Sequence, residues 1–272
     1  MRLVTVGCSG SFAGPSSPAS CYLVQVPATT SPDGRAWNVL LDLGNGGLGA
    51  LQRVIDPLDL DAVLLSHLHP DHFVDVCGLY VYLRYHPTGG TERHGGRAPL
   101  PVFGPRDTAE RASMAYAGRP GEDMGAQFDF RRLRDTEPIT VGPLTIEPRR
   151  VYHPVEAFGF RVTGPSTERP GETAVLTFTG DTDYCDAVVD LARGADLLLS
   201  EAAFHEGRDA DVDPGIHMTG QDAGRLARTA DVSSLVLTHV PAWNDLDLTL
   251  AEAAGEYSGP TVIASTGATF SV

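Results

Sequence analysis

Lysine is absent: all 20 basic residues of the 272-residue chain are arginine. That absence removes Schiff-base chemistry, a lysine general base and a Walker-A phosphate loop in one step. Against the arginines stand 35 acidic residues, leaving a formal charge of −15. Nucleic-acid binders normally carry a basic footprint, so a long nucleic acid is disfavoured as a partner. The arginine clusters Arg131-Arg132-Arg134 and Arg149-Arg150 read more readily as solvated strand or loop faces.

Cysteine is sparse too. Cys8, Cys21, Cys77 and Cys185 form no CxxC pair and are too few for a disulfide scaffold. No apolar run approaches the roughly 18 residues of a membrane span, so no membrane partner is expected. Met1-Arg2 leads straight into Leu3-Val4-Thr5-Val6, with no h-region or cleavage site of a signal peptide. A cytoplasmic location is the default reading. With 30 glycines and 20 prolines, the chain stays below the roughly 25–30% of such residues that marks low complexity.

What is present reads as alternating strands and helices. Strands are expected at 3–6, 22–26, 37–42 and 61–66, with a short helix at 49–55 and helical spacing from Asp71 through Leu83. Further on, strands fall at 144–147, 159–162, 174–178, 196–199, 235–238 and 261–264. Helices fall at 185–192, 219–230 and 248–257. Loops rich in glycine and proline occupy 87–99, 118–126, 164–173 and 206–216. None is long enough to separate independent domains, and no internal repeat is visible. One α/β or α+β layered domain spanning residues 1–272 is the expectation.

One segment carries chemistry: Ser66-His67-Leu68-His69-Pro70-Asp71-His72. A strand ends there, and three histidines and an aspartate follow before a helix begins. Imidazole and carboxylate are the ligands that suit zinc and its neighbours. His67 and His69, two apart in extended backbone, project to one side and can share a metal. Asp71 and His72 can turn toward a second ion. A binuclear site needs further ligands, and strand ends can aim them. His153, Asp181 (after Gly180) and His239 each sit at such an end.

These residues resemble the metallo-β-lactamase superfamily, whose HxHxDH signature stands here as His67 to His72. The closer resemblance is to the ribonuclease Z-like phosphodiesterase branch. The opening loop Gly7-Cys8-Ser9-Gly10-Ser11 and the turn Asp42-Leu43-Gly44-Asn45-Gly46 carry it. So do Gly180-Asp181-Thr182, Glu201-Ala202-Ala203-Phe204, His217-Met218-Thr219 and Leu237-Thr238-His239. The motifs run in order over most of the chain, and as an ordered set they are specific.

The resemblance implies a four-layer αββα sandwich with two divalent ions at the top of the sheets. His67, His69 and His153 would bind the first, Asp71, His72 and His239 the second, and Asp181 would bridge. Zinc suits this set, with manganese or iron as alternatives. Asp71, Glu201 and His217 would serve catalysis. His217 would face the scissile phosphate, and Glu201 would orient and charge it. A homodimer is typical of similar proteins.

One departure bears on substrate. Ribonuclease Z carries an RNA-gripping arm between the third metal histidine and the bridging aspartate. Here only 27 residues separate His153 from Asp181. With the acidic balance, this favours a small anionic phosphodiester, such as a cyclic nucleotide or other cyclic phosphate, over transfer RNA. The alternatives are ribonuclease Z-like RNA processing, an arylsulfatase, an acyl hydrolase of β-lactam or thioester type, or a metal-stabilised protein without turnover. Other polar residues have blander readings. His86 and His94 are expected in an exposed loop region, His205 beside the pocket or merely buried, and Asp42 as an outer acceptor supporting the metal loop. Cys8 and Cys21 read as buried small residues, and Arg161 as a substrate contact or a surface ion pair.

Overall fold

A computed structural model describes residues 1–94 and 96–272. Six strands build the first sheet in chain order: β1 (Arg2–Gly7), β2 (Cys21–Val26), β3 (Trp37–Leu41), β4 (Ala62–Leu64), β5 (Leu100–Gly104) and β6 (Phe128–Arg132). Seven build the second: β7 (Ile139–Val141), β8 (Leu144–Arg150), β9 (Phe158–Pro165), β10 (Thr173–Phe178), β11 (Leu197–Glu201), β12 (Leu235–Thr238) and β13 (Thr261–Ile263). Then β14 (Thr269–Ser271) returns to the first sheet beside β1. Both sheets begin antiparallel and become parallel, from β3 to β6 and from β10 to β13.

Central strands such as β3 and β12 are buried on both faces because both faces are covered. In β3, Val39 and Leu41 point into the layer between the sheets, where they meet residues such as Phe160, Leu176 and Leu199. Leu40, between them, faces the outer layer with Val76, Leu79 and Leu83 of the helix Val76–Tyr85. On the other side, helices Asp186–Ala192, Gly220–Thr229 and Leu246–Glu256 cover the second sheet through Val188, Leu226 and Ala253. The result is the αββα sandwich. Among the described residues, no helix is long and apolar enough to cross a membrane.

Several elements differ from the sequence reading. The helix expected from Asp71 through Leu83 is broken into Pro70–Phe73 and Val76–Tyr85. The loop after β3 causes the break: Leu43 N–H donates to His72 O, and Asp75 N–H donates back to Leu43 O. Strands β5, β6, β7 and β14 and the helix Thr108–Ala117 were not legible. Pro101 lies within β5, where proline is a poor strand signal, and Asp129, Arg131 and Arg132 give β6 a polar sequence. The loop expected at 87–99 contains a helical turn, Thr91–His94; the His94 side chain lies outside the described residues. Between His153 and Asp181 the chain forms only the β9–β10 hairpin.

Candidate metal centre

All the ligand-type residues expected at strand ends meet at one end of the sandwich. Asp42 follows β3, His67 to His72 follow β4, and His153 follows β8. Asp181 follows β10, Glu201 ends β11 and His239 follows β12. Open α/β sheets place their sites at the carboxyl ends of strands, where neighbouring loops converge. Backbone strain marks two of these ends. Asp42 (φ 59°) and His239 (φ 56°) hold left-handed conformations that non-glycine residues rarely adopt. Gly180 also turns with positive φ, and a Cβ there would sit 2.6 Å from Phe158 O. Any other residue at 180 would force this backbone, next to Asp181, or that of Phe158 to shift.

Two groups of donor atoms result. His67, His69 and His153 form one; Asp71, His72, Asp181 and His239 form the other. In the first, His67 Nε2 lies 2.9 Å from His69 Nδ1, which lies 3.3 Å from His153 Nε2. In the second, His239 Nε2 lies 3.1 Å from both His72 Nε2 and Asp71 Oδ2. Asp181 stands between them. Its Oδ2 is 3.7 Å from His67 Nε2 and 3.4 Å from His239 Nε2, and its Oδ1 is 3.2 Å from His72 Nε2.

The far nitrogens of His67, His72 and His153 are committed to outer acceptors. His72 Nδ1–H donates to Asp42 Oδ2 at 2.7 Å, and His153 Nδ1–H donates to Ile216 O at 2.8 Å. Ser66 Oγ–H donates to Asp42 Oδ2, leaving its oxygen to accept from His67 Nδ1–H at 3.1 Å. The Nε2 atoms of these three rings are thereby aimed at their neighbours across the centre. Asp42 is fully buried and also accepts the Ser66 N–H, so it is the outer acceptor the sequence pointed to. Ser66 and the Ile216 carbonyl went unnoticed in the sequence, because nothing in their residue types announces an orienting role.

Electrostatics separate the groups. Burial holds His67, His69 and His153 below the ordinary imidazole value, so they are neutral. Burial also opposes a charge on His72, but Asp181 and Asp42 outweigh it and raise that pKa well above normal. Burial would raise Asp71 and Asp181, yet the facing histidines hold both carboxyls below the usual range. Asp181 Oδ1 is buried with no hydrogen bond of acceptable geometry. A buried carboxylate oxygen without a donor is costly unless a cation meets it. Imidazole and carboxylate atoms gathered within 4.8 Å of one another are the donor set that such a cation takes. The residues present fit divalent metal ions.

Beside both groups lies a third pair. His217 Nδ1–H donates to Glu201 Oε1 at 3.0 Å. Glu201 is completely buried, and its oxygens also accept from the backbone N–H groups of Thr182, Ala203 and Met218. Burial would lower the His217 pKa, but Glu201 and Asp181 raise it to about 9. Glu201, His217 and His239 also have metal-like spacing. Hydrogen bonds already satisfy both Glu201 oxygens and His217 Nδ1, so in this set only the shared His239 keeps an unpartnered atom, its Nδ1.

Other candidates fall outside the centre. His205 is buried, with Nε2 bonded to Thr249 Oγ1 at 2.9 Å, in a structural role. His86 is half-buried and contacts Thr88. Arg161 neither faces the centre nor forms a surface ion pair. It donates to the carbonyls of Leu191 and Arg193 at the end of a helix. Arg131, Arg132, Arg134 and Arg150 pair with acidic neighbours on exposed faces. Cys21 is buried, and Cys8 rests against Ser17.

A family profile described as the beta-lactamase superfamily domain matches residues 37–240. An uncharacterized protein of Mycobacterium leprae is 44% identical over 100% of this chain and 89% of its own length. The probable metallo-hydrolase YhfI of Bacillus subtilis is 30% identical over 98% of each chain. Its crystal structure, a metallo-beta-lactamase fold protein, superposes with a TM-score of 0.81 over 100% of this chain and 99% of that one, at 28% identity. Ribonuclease Z of Myxococcus xanthus is 26% identical over 85% of this chain and 87% of its own length.

Proposed function

The chain belongs to the β-lactamase superfamily of metallo-hydrolases, and we propose that within it the protein is a binuclear phosphodiesterase acting on small substrates such as nucleoside cyclic phosphates. His67, His69 and His153 would hold one ion, Asp71, His72 and His239 the other, with Asp181 shared. Five imidazoles against two carboxylates favour zinc. Divalent ions held there supply Lewis-acid activation of water and neutralise an anionic substrate.

The observation that carries this reading is the Glu201–His217 pair. Glu201 is pinned by three backbone amides, so it holds the His217 imidazole in one orientation and keeps it protonated through the neutral range. The His217 ring centroid lies 5.3 Å from that of His239 and 5.6 Å from that of His153. A proton donor beside both groups suits departure of a basic alkoxide. An acyl substrate with a good leaving group has little need of one. The short β9–β10 hairpin and the acidic balance favour a compact phosphodiester over transfer RNA.

The test compares leaving groups. His217→Ala should slow hydrolysis of a nucleoside 3′,5′-cyclic phosphate by about 10²–10⁴-fold with metal content intact. On bis-p-nitrophenyl phosphate, whose leaving group needs little protonation, the loss should be much smaller. Equal losses on both would remove the proton-donor role. Greater kcat/KM on precursor transfer RNA or on an aryl sulfate would overturn the substrate assignment.

A further inference from the structure

The loop after β1 is tied to the metal centre by its backbone. Gly10 N–H donates to Val240 O, and Ser9 forms a bridge with Val240. A Cβ at Gly10 would lie 2.1 Å from His239 O, so the loop lies in direct contact with that residue. Ser11 has a φ of 62°, and its amide nitrogen lies 3.3 Å from His239 Nε2. Such a conformation in a non-glycine residue persists only where its surroundings hold it, and it concentrates at functional sites.

Phe12 is the next residue, one backbone step of about 3.8 Å from Ser11. Its ring contacts that of Trp243, four residues beyond His239, with centroids 4.7 Å apart and planes tilted by 41°. Trp243 is the most exposed large apolar side chain among the described residues, at 66%. Phe12 thus supports one side of an indole that otherwise faces solvent. The flanks are neutral: residues 8–18 and 240–244 carry no charged side chain, in a chain of net charge −15. Arg208, which donates to Asn244 Oδ1, is balanced by Asp209. This uncharged aromatic surface adjoins the cluster that would take an anionic phosphate, and it repels neither part of a nucleotide.

We infer that Phe12 and Trp243 form the platform on which the planar base of a nucleoside cyclic phosphate stacks while its phosphate lies at the metal centre. The inference rests on the phosphodiesterase reading and assigns its substrate class to nucleotides, not base-free cyclic phosphates. Base stacking on an aromatic side chain tolerates every base, so the platform selects for a base without choosing among them.

Two measurements test it. Trp243→Ala and Phe12→Ala should each raise KM for a nucleoside 3′,5′-cyclic phosphate by about tenfold. In both, kcat and metal content should hold, and KM for the base-free methyl riboside 3′,5′-cyclic phosphate should not change. Trp243→Phe should recover most of the loss. Independently, the chain has two tryptophans, so Trp37→Phe leaves Trp243 as the sole reporter. Its emission should be quenched by nucleoside cyclic phosphate and not by the base-free compound. Equal rises in KM for both compounds, or no quenching in a protein that hydrolyses the nucleotide, would overturn the platform. Quenching without any phosphodiester turnover would support the platform and remove the phosphodiesterase reading instead.

Discussion

His67, His69 and His153 present three imidazole nitrogens, whereas the cluster beside them sets two carboxylates against two imidazoles. The first is neutral because burial disfavours a charged ring. The second is charged because each burial penalty is outweighed by a facing group of opposite sign. Without a cation, the first cluster is a set of neutral imidazoles, and the second is a buried ion-pair network that holds a proton on His72. The two should therefore take up metal by different routes. The imidazole trio can bind without releasing a proton, while the carboxylate cluster must exchange one.

Removing Asp181 should have the largest effect, because its carboxylate stands between the clusters, with Oδ2 3.7 Å from His67 Nε2 and 3.4 Å from His239 Nε2. Metal analysis of the wild-type chain should find about two ions, as the ligands exceed one tetrahedral set. Asp181→Ala should weaken both sites beyond the roughly 10–100-fold typical of an outer partner. His239→Ala should chiefly affect its own cluster. A wild-type stoichiometry of one, or an Asp181→Ala protein that still binds two ions tightly, would break the comparison.

Asp42→Ala should have an intermediate effect and should sharpen the contrast. Its carboxylate orients His72 directly but reaches His67 only through Ser66. Affinity at the carboxylate cluster should fall about 10–100-fold, with a smaller loss at the imidazole trio. Competition with a chromogenic chelator would resolve the two sites, and equal losses would show that they are not separately supported.

The smallest effect should come from pH. The His72 pKa is raised in the cation-free chain, so binding at its cluster expels a proton and affinity there should climb as pH rises through neutrality. The pKa values of His67, His69 and His153 are lowered, so their affinity should stay flat over that window and fall only in acid. Calorimetry in buffers of different ionisation enthalpy would count the protons. Equal release at both sites would contradict the assigned charge states.

The sequence made the ligand-type residues legible and their supports mostly not. The HxHxDH run, the GDT turn and the strand-end His153 and His239 stand out because imidazole and carboxylate types recur where strands stop. Asp42 was legible as an acceptor, since it opens a glycine-rich turn. Ser66, the Ile216 carbonyl and the pairing of Phe12 with Trp243 were not, because a hydroxyl, a peptide oxygen and an aromatic ring are common everywhere. Arg161 shows the converse: a charged residue near His153 in sequence is drawn away to cap a helix.

Local rules reach only as far as local interactions. Apolar runs covered on both faces, glycine turns and the density of histidine in one loop were enough to specify a layered α/β domain with metal chemistry at strand ends. They could not reveal strands such as β6, whose polar sequence is held by its pairing with β5. Nor could they determine which ring nitrogen faces the centre, which carboxylate oxygen is orphaned or where His72 keeps its proton. Those properties depend on groups far apart in the chain, as with Asp42 and His72 or His72 and His239. Pairing of β3 with β4 brings Asp42 to His72, and only the packing of the two sheets brings His72 to His239 and removes the water that would otherwise screen these groups.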